Sequence, residues 1–139
     1  MQLDKLTENL ARRQRNFELT STELARWPDL FTLAELTPGV ETGWHMFPLI
    51  INPESGIRRS ELQRWMESHG IDTRMVWTGN ASRQPAFRDK PHRVPVGGLP
   101  NADLVMEWGL ILPNSHSMSD DDCAYIGETV DAFVKAMRS

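Results

Sequence analysis

One cysteine, one tyrosine and three lysines stand in a chain of 139 residues. The lone thiol, Cys123, can form neither an internal disulfide nor a cysteine zinc centre, and a reducing compartment suits it. No apolar run approaches the roughly 18 to 20 residues that a membrane span needs. Residues 1–15 alternate charge with leucine where a signal peptide would carry an apolar core. The 15 basic residues are scattered among 19 acidic ones for a net charge of -4, without the clustered basic face of a nucleic-acid binder. Phosphate loops and serine-nucleophile signatures are missing too. Val96-Gly97-Gly98-Leu99 is too short for such a loop and lacks the following lysine, and no G-x-S-x-G occurs. The four histidines, His45, His69, His92 and His116, show no metal-ligand spacing. These absences leave one soluble, cytoplasmic domain with no nucleic-acid or membrane partner. At 40% hydrophobic and 24% charged residues it is large enough for a core of its own.

Apolar spacing supplies the elements. Leu3, Leu6, Leu10, Phe17 and Leu24 recur at three, four or seven residues, which sets them on one side of a long helix over residues 1–27. Glu8, Arg12, Arg13 and Arg15 take the other side. Pro28 ends that helix near Trp27, because the residue before proline is pushed out of the helical region. Residues 28–43 read as a connection with an apolar middle. The dense run 44–51 reads as a strand, and Pro48, lacking an N–H, places it at an edge or at an irregularity. Leu62, Trp65, Met66 and His69 mark a short helix stopped by Gly70, with Ser60 and Gln63 as a candidate capping box. Residues 71–77 read as a second strand, 78–98 as a long irregular segment, and Leu104, Val105 and Trp108 as a helix before a strand at 110–112. Ser119 caps a last helix whose apolar face is Cys123, Ile126, Val130, Phe133, Val134 and Met137. Asp120-Asp121-Asp122 suits the positive end of that helix. The fold class is α+β: a small, mostly antiparallel sheet covered by helices, with 44–139 as the sandwich.

The irregular segment is the best place for ligand contact, since long loops in small domains are commonly functional. Arg74 offers a planar fork for carboxylate or phosphate, and Trp77 a face for stacking. Gly79 permits a backbone that other residues resist. Arg83 offers the same fork, and Asn80 and Gln84 can donate to and accept from sugar hydroxyls. The plainer reading is that Arg74 faces solvent and Asn80 closes a turn, and composition does not choose between the two. His116, in the polar loop 114–117 at a strand end, is a further binding candidate. For His69, a position near a helix C-terminus favours a structural role, and His45 points away from the core.

Taken in order, Gln2-Leu3-x-x-Leu6, Arg12-Arg13, Gly70-Ile71-x-Thr73-Arg74, Gly79-Asn80, Arg83-Gln84-Pro85-Ala86-Phe87 and Leu99-Pro100-Asn101-x-Asp103 resemble the C-terminal small domain of the DegT/DnrJ/StrS-type aminotransferases. Within that family they are most similar to the branch of the CDP-4-keto-6-deoxyglucose-3-dehydrases. The resemblance implies the small domain of a fold-type-I pyridoxal-phosphate (PLP) enzyme, usually a homodimer acting on a nucleotide sugar in polysaccharide biosynthesis. Most members transfer an amino group through a lysine Schiff base, whereas the dehydrases use histidine there and remove a hydroxyl. Lys5, Lys90 and Lys135 lie outside that lysine's context, and the cofactor-binding large domain is absent, so no cofactor is expected for this chain alone. The loop 113–119 also departs from relatives that carry glycine before the final helix.

Two expectations follow. In the first, the chain is part of a split or truncated transaminase or dehydrase, and Arg74, Trp77, Gly79, Asn80, Arg83, Gln84 and His116 border the substrate cleft without catalysing alone. Its partner is then a PLP-binding large domain, a separate N-terminal chain, or a second copy. In the other, it is a stand-alone, non-enzymatic module that binds a partner protein or a nucleotide sugar. The leucine stripe discriminates between them, because an isolated chain would expose it.

Overall fold

A computed structural model describes residues 2–138. Four helices and four strands follow in the order α1 (Leu6–Leu24), β1 (Phe31–Leu33), β2 (Met46–Ile51), α2 (Arg59–Ser68), β3 (Arg74–Met75), α3 (Pro100–Trp108), β4 (Gly109–Pro113) and α4 (Asp120–Arg138). The sheet is antiparallel throughout, ordered β1-β2-β4-β3. This is the α+β class that the pattern of apolar residues implies.

Alternation in β2 assigns its two faces. Phe47, Leu49 and Ile51 are buried, while Met46, Pro48 and Ile50 are half-buried on the opposite face. The buried side meets Leu62 and Met66 of α2, and Ile126, Val130 and Phe133 of α4, in one core with Leu110 and Leu112 of β4. Trp65 fastens α2 to α4 by donating its indole N–H to the Thr129 carbonyl at 3.0 Å. From α1 the core receives Phe17 and Leu24; Phe17 stacks on Trp44 at 3.8 Å and tilts against Phe47 at 4.8 Å.

Several boundaries differ from the sequence reading. The first helix stops at Leu24, three residues before Trp27, because its last turn tightens: the Trp27 N–H donates to the Leu24 carbonyl. A three-residue strand, β1, lies inside the expected connection and pairs Phe31 with Ile51. Pro48 sits in an interior strand, not an edge strand. It is tolerated because β1 pairs only with Leu49, Ile50 and Ile51, leaving β2 open beside it. His45, expected inside the strand, is exposed just before β2. The capping of α2 falls two residues early: the Glu61 carboxylate accepts the Arg58 N–H at 3.2 Å, so Ser60 and Gln63 are not the pair. The second strand shrinks to Arg74–Met75 because the chain turns at Trp77, whose φ is +41°.

The cap on α4 matches its sequence. Ser119 Oγ accepts the Asp122 N–H at 3.2 Å, and the Asp122 carboxylate accepts the Ser119 N–H at 2.7 Å. That reciprocal pair satisfies donors which the first helical turn leaves over. Asp120 binds Arg15 of α1, so the acidic run caps one helix and ties it to another.

Candidate functional site

Gly79, Asn80, Arg83 and Gln84 converge on α3. Asn80 is buried; its Nδ2 donates to Asp103 Oδ1 at 2.7 Å, and its Oδ1 accepts the Ser82 N–H at 3.1 Å and the Ser82 hydroxyl at 2.6 Å. Arg83 grips the same carboxylate with two parallel bonds, Nε to Oδ1 at 3.0 Å and Nη2 to Oδ2 at 2.9 Å. This is the fork-on-carboxylate geometry that makes arginine specific. Asp103 stands in the first turn of α3, where the helix dipole also favours an acid. The Arg83 fork, followed by the Asn80 amide, holds the Asp103 carboxyl below its ordinary pKa, and Asp103 raises that of Arg83.

Gly79 completes the clamp. Its φ is +59°, and a Cβ there would lie 2.3 Å from the Met106 Cα, so only glycine fits the approach. Gln84 donates to the Thr78 carbonyl at 2.9 Å, closing the loop on itself. Arg59 reaches across from α2 to the Met106 carbonyl at 2.6 Å and fixes the other side of α3. Asp103 and Arg59 were not singled out from the sequence. An acid in the helix start Leu99-Pro100-Asn101-Ala102-Asp103, downstream of an unpaired arginine, was the signal available.

The remaining candidates stand apart. Arg74 is exposed on β3, paired with Asp72 at 2.9 Å. Trp77 is 76% exposed. His116 follows β4 on the side of Pro113, whereas the clamp adjoins its Gly109 end; the strand separates the two by roughly 13 Å. His116 is half-buried, and its Nδ1 has no hydrogen-bond partner among the described residues. Six of the seven candidates thus lie on or beside the segment 74–84, and the seventh does not join them.

Elsewhere, an apolar groove of about 560 Å³ opens between the start of α1 and the loop before β2, lined by Leu10, Ala11, Leu36, Val40 and Gly43. Leu3, Leu6 and Leu10 are 72%, 48% and 39% exposed, so the first part of the leucine stripe is open. No group of acids, histidines and cysteine among the described residues could hold a metal, and no helix is long and apolar enough to cross a membrane.

The sequence matches the DegT/DnrJ/EryC1/StrS aminotransferase family over residues 1–131. The chain belongs to that family. It is 33% identical to the lipopolysaccharide biosynthesis protein RfbH of Salmonella typhimurium over 105 residues, 76% of this chain and 24% of that protein. It is 30% identical to a dTDP-4-dehydro-2,6-dideoxy-D-glucose 3-dehydratase of Saccharopolyspora spinosa over 136 residues, 96% of this chain and 28% of the relative. The fold superposes with a TM-score of 0.82 on GDP-4-keto-6-deoxy-D-mannose-3-dehydratase of E. coli, crystallised with bound hydrated PLP; identity there is 26%, covering 92% of this chain and 32% of that one. The chain therefore spans only about a quarter to a third of the relatives it matches.

That E. coli neighbour was crystallised with hydrated PLP. Lys5, Lys90 and Lys135 of this chain are all exposed, on a 3-10 turn, a loop and the end of α4 respectively.

Proposed function

We propose that this chain is the small-domain part of a PLP-dependent sugar-nucleotide transaminase or dehydrase, and that it is not catalytic alone. Arg74, Trp77, Gly79, Asn80, Arg83 and Gln84 border the substrate cleft in this reading, with His116 contributing from the far end of β4. The clamp makes Gly79, Asn80 and Arg83 supports for that border, leaving Arg74 and Trp77 outward for substrate. The cofactor and the groups that move protons belong to a large domain, on another polypeptide or on a longer chain, in a cytoplasmic and normally homodimeric enzyme.

The observation that carries this reading is one of scale. The family match runs through residues 1–131, yet the aligned part is 24% of one curated relative and 28% of another. The open leucine stripe agrees with it, because a contiguous exposed apolar face commonly marks a surface that is covered in the assembly. The second reading, a stand-alone module without catalysis, draws on one feature: the sheet and helices close a complete core within the chain.

A titration with PLP separates the two. The chain alone should leave the cofactor's visible spectrum unchanged. Mixed with a polypeptide carrying the remaining two thirds of a relative, it should produce bound cofactor and turnover of a nucleotide sugar. A well-folded monomer that restores neither spectrum nor turnover with any such partner would establish the module instead.

A further inference from the structure

Unmet polar atoms gather at one corner of the fold. Among the described residues, six buried side-chain nitrogen or oxygen atoms make no hydrogen bond: Arg13 Nε, Trp44 Nε1, Asn114 Oδ1, His116 Nδ1 and the hydroxyls of Thr20 and Thr129. The first four belong to three segments that the structure ties together. The start of β2 pairs with the end of β4, Met46 opposite Pro113, so Trp44 and Asn114 leave the sheet side by side. Asn114 Nδ2 donates to the Trp44 carbonyl and to the Arg13 carbonyl, the latter at 3.2 Å. Three residues along α1 from Arg13, Asn16 Nδ2 donates to the carbonyls of Ser115 and Met118 at 2.8 and 3.1 Å. Those bonds seat the loop that carries His116 on the same stretch of helix. Phe17, one turn after Arg13, stacks on Trp44.

Asn114 decides the chemistry. It is 3% exposed, and its orientation is fixed, because a flipped amide would set its oxygen against two carbonyls. Left without a donor, Oδ1 would carry the full cost of its desolvation. Arg13 Nε–H and Trp44 Nε1–H are unspent donors on residues that Asn114 already touches, and neither bonds to it. A bare anion would serve those donors and repel Oδ1; a cation would meet the guanidinium. A small neutral molecule with both hydrogens and lone pairs serves all four atoms. Trp44 also has a φ of +31°, where a bulky side chain is disfavoured. Backbone strain that its surroundings maintain commonly marks a site.

We infer that Arg13, Trp44, Asn114 and His116 bind a buried water, which holds neutral His116 as its Nε2–H tautomer. The water accepts from Arg13 Nε–H and Trp44 Nε1–H, which takes both of its lone pairs. Its hydrogens go to Asn114 Oδ1 and His116 Nδ1, so Nδ1 carries no proton and the ring N–H is on Nε2. Buried waters commonly make about three bonds to polar groups that are otherwise unmet. The loop 114–117 is thereby joined to α1 and to the start of β2, and His116 is fixed as a donor at Nε2. The site is independent of the sugar-nucleotide reading, and either can fail without the other.

Nitrogen-15 NMR of the full chain tests the site at a pH where histidine is neutral. The Trp44 indole N–H, identified as the signal lost in Trp44→Phe, should show a cross-peak to water with the sign of a long-lived bound molecule. The ring of His116, identified by His116→Gln, should carry its proton on Nε2. Trp44→Phe keeps a ring on Phe17 and removes one donor, which frees a lone pair of the water for a protonated Nδ1. The ratio of Nε2–H to Nδ1–H tautomer should then fall by about fivefold, as one net hydrogen bond is worth. An Nδ1–H tautomer in the wild type, an indole without bound water, or an unchanged ratio in Trp44→Phe would overturn the site. So would a saturable shift of the indole signal on adding inorganic phosphate, since the occupant would then be an anion. If Trp44→Phe does not fold, the two wild-type readings decide, with the indole assigned through its contact with Phe17.

Discussion

The two ends of α1 carry the same leucine periodicity and meet opposite fates. Toward the C-terminus, Phe17 and Leu24 are 7% and 1% exposed, sealed by β2 and α4. Toward the N-terminus, Leu6 is half exposed and Leu10 borders an open groove. The contrast extends to polar groups. Around the clamp they pair with one another, as Asn80 and Arg83 share one carboxylate, whereas Arg88, Lys90 and Arg93 are in no ion pair among the described residues. A stripe says which side of a helix is apolar, and only the neighbouring elements say whether that side is covered. The closed half contributes to the core, and the open half does not.

The sharpest way to break this comparison is to truncate one leucine in each half. Leu24→Ala should cost about 2–5 kcal/mol through lost burial and a residual cavity. Leu6→Ala should stay within about 0.5 kcal/mol. Urea unfolding of both variants checks this, and equal losses would mean that the start of α1 is covered in solution.

Next in size is the clamp. Asn80→Ala removes a buried amide and leaves the partners of three hydrogen bonds unmet, at about 1–3 kcal/mol. Amide exchange should quicken across 78–84 and leave β2 unchanged. A uniform increase over the whole chain would show that the clamp is part of the global core.

Smaller still is the cap that ties α4 to the closed half: Ser119→Ala should cost about 1 kcal/mol, read as a lower thermal midpoint. Acid sensitivity belongs to the same groups. The Ser119 backbone N–H and then its hydroxyl hold the Asp122 carboxyl below its ordinary pKa, as Arg83 and Asn80 hold that of Asp103. A depressed folded pKa adds stability that is complete above the unfolded value and fades as the pH falls through the folded one. Stability should therefore decline below the ordinary carboxylate range, and Asp103→Asn with Asp122→Asn should flatten that decline. Identical acid profiles for variant and wild type would sink the assignment.

Much of the scaffold was legible because its signals are local. Ser119 before three acids announces a helix start, and Gly70 a helix stop, since capping involves residues only a few positions apart. The alternation of β2 and the face of α4 needed nothing beyond periodicity. β1 was not legible: three residues pair only because Ile51 lies opposite Phe31. The second strand was legible but its extent was not: β3 ends where Trp77 turns. The candidate residues 74–84 were legible as a segment but not by their partners, because the acid that takes the Arg83 fork lies twenty positions later and on another element.

By itself the sequence determined the class of fold, the family likeness, the cap of α4 at Ser119 and the stop of α2 at Gly70. These follow from chain-local preferences, which act at spacings of two to four residues. Tertiary structure alone decided that Arg83 is an internal tie while Arg88, Lys90 and Arg93 are free, that His116 stands at the far end of β4, and that half of a leucine stripe stays open. Each of those depends on which atoms arrive from distant parts of the chain: a charge is spent or available according to its neighbour in space.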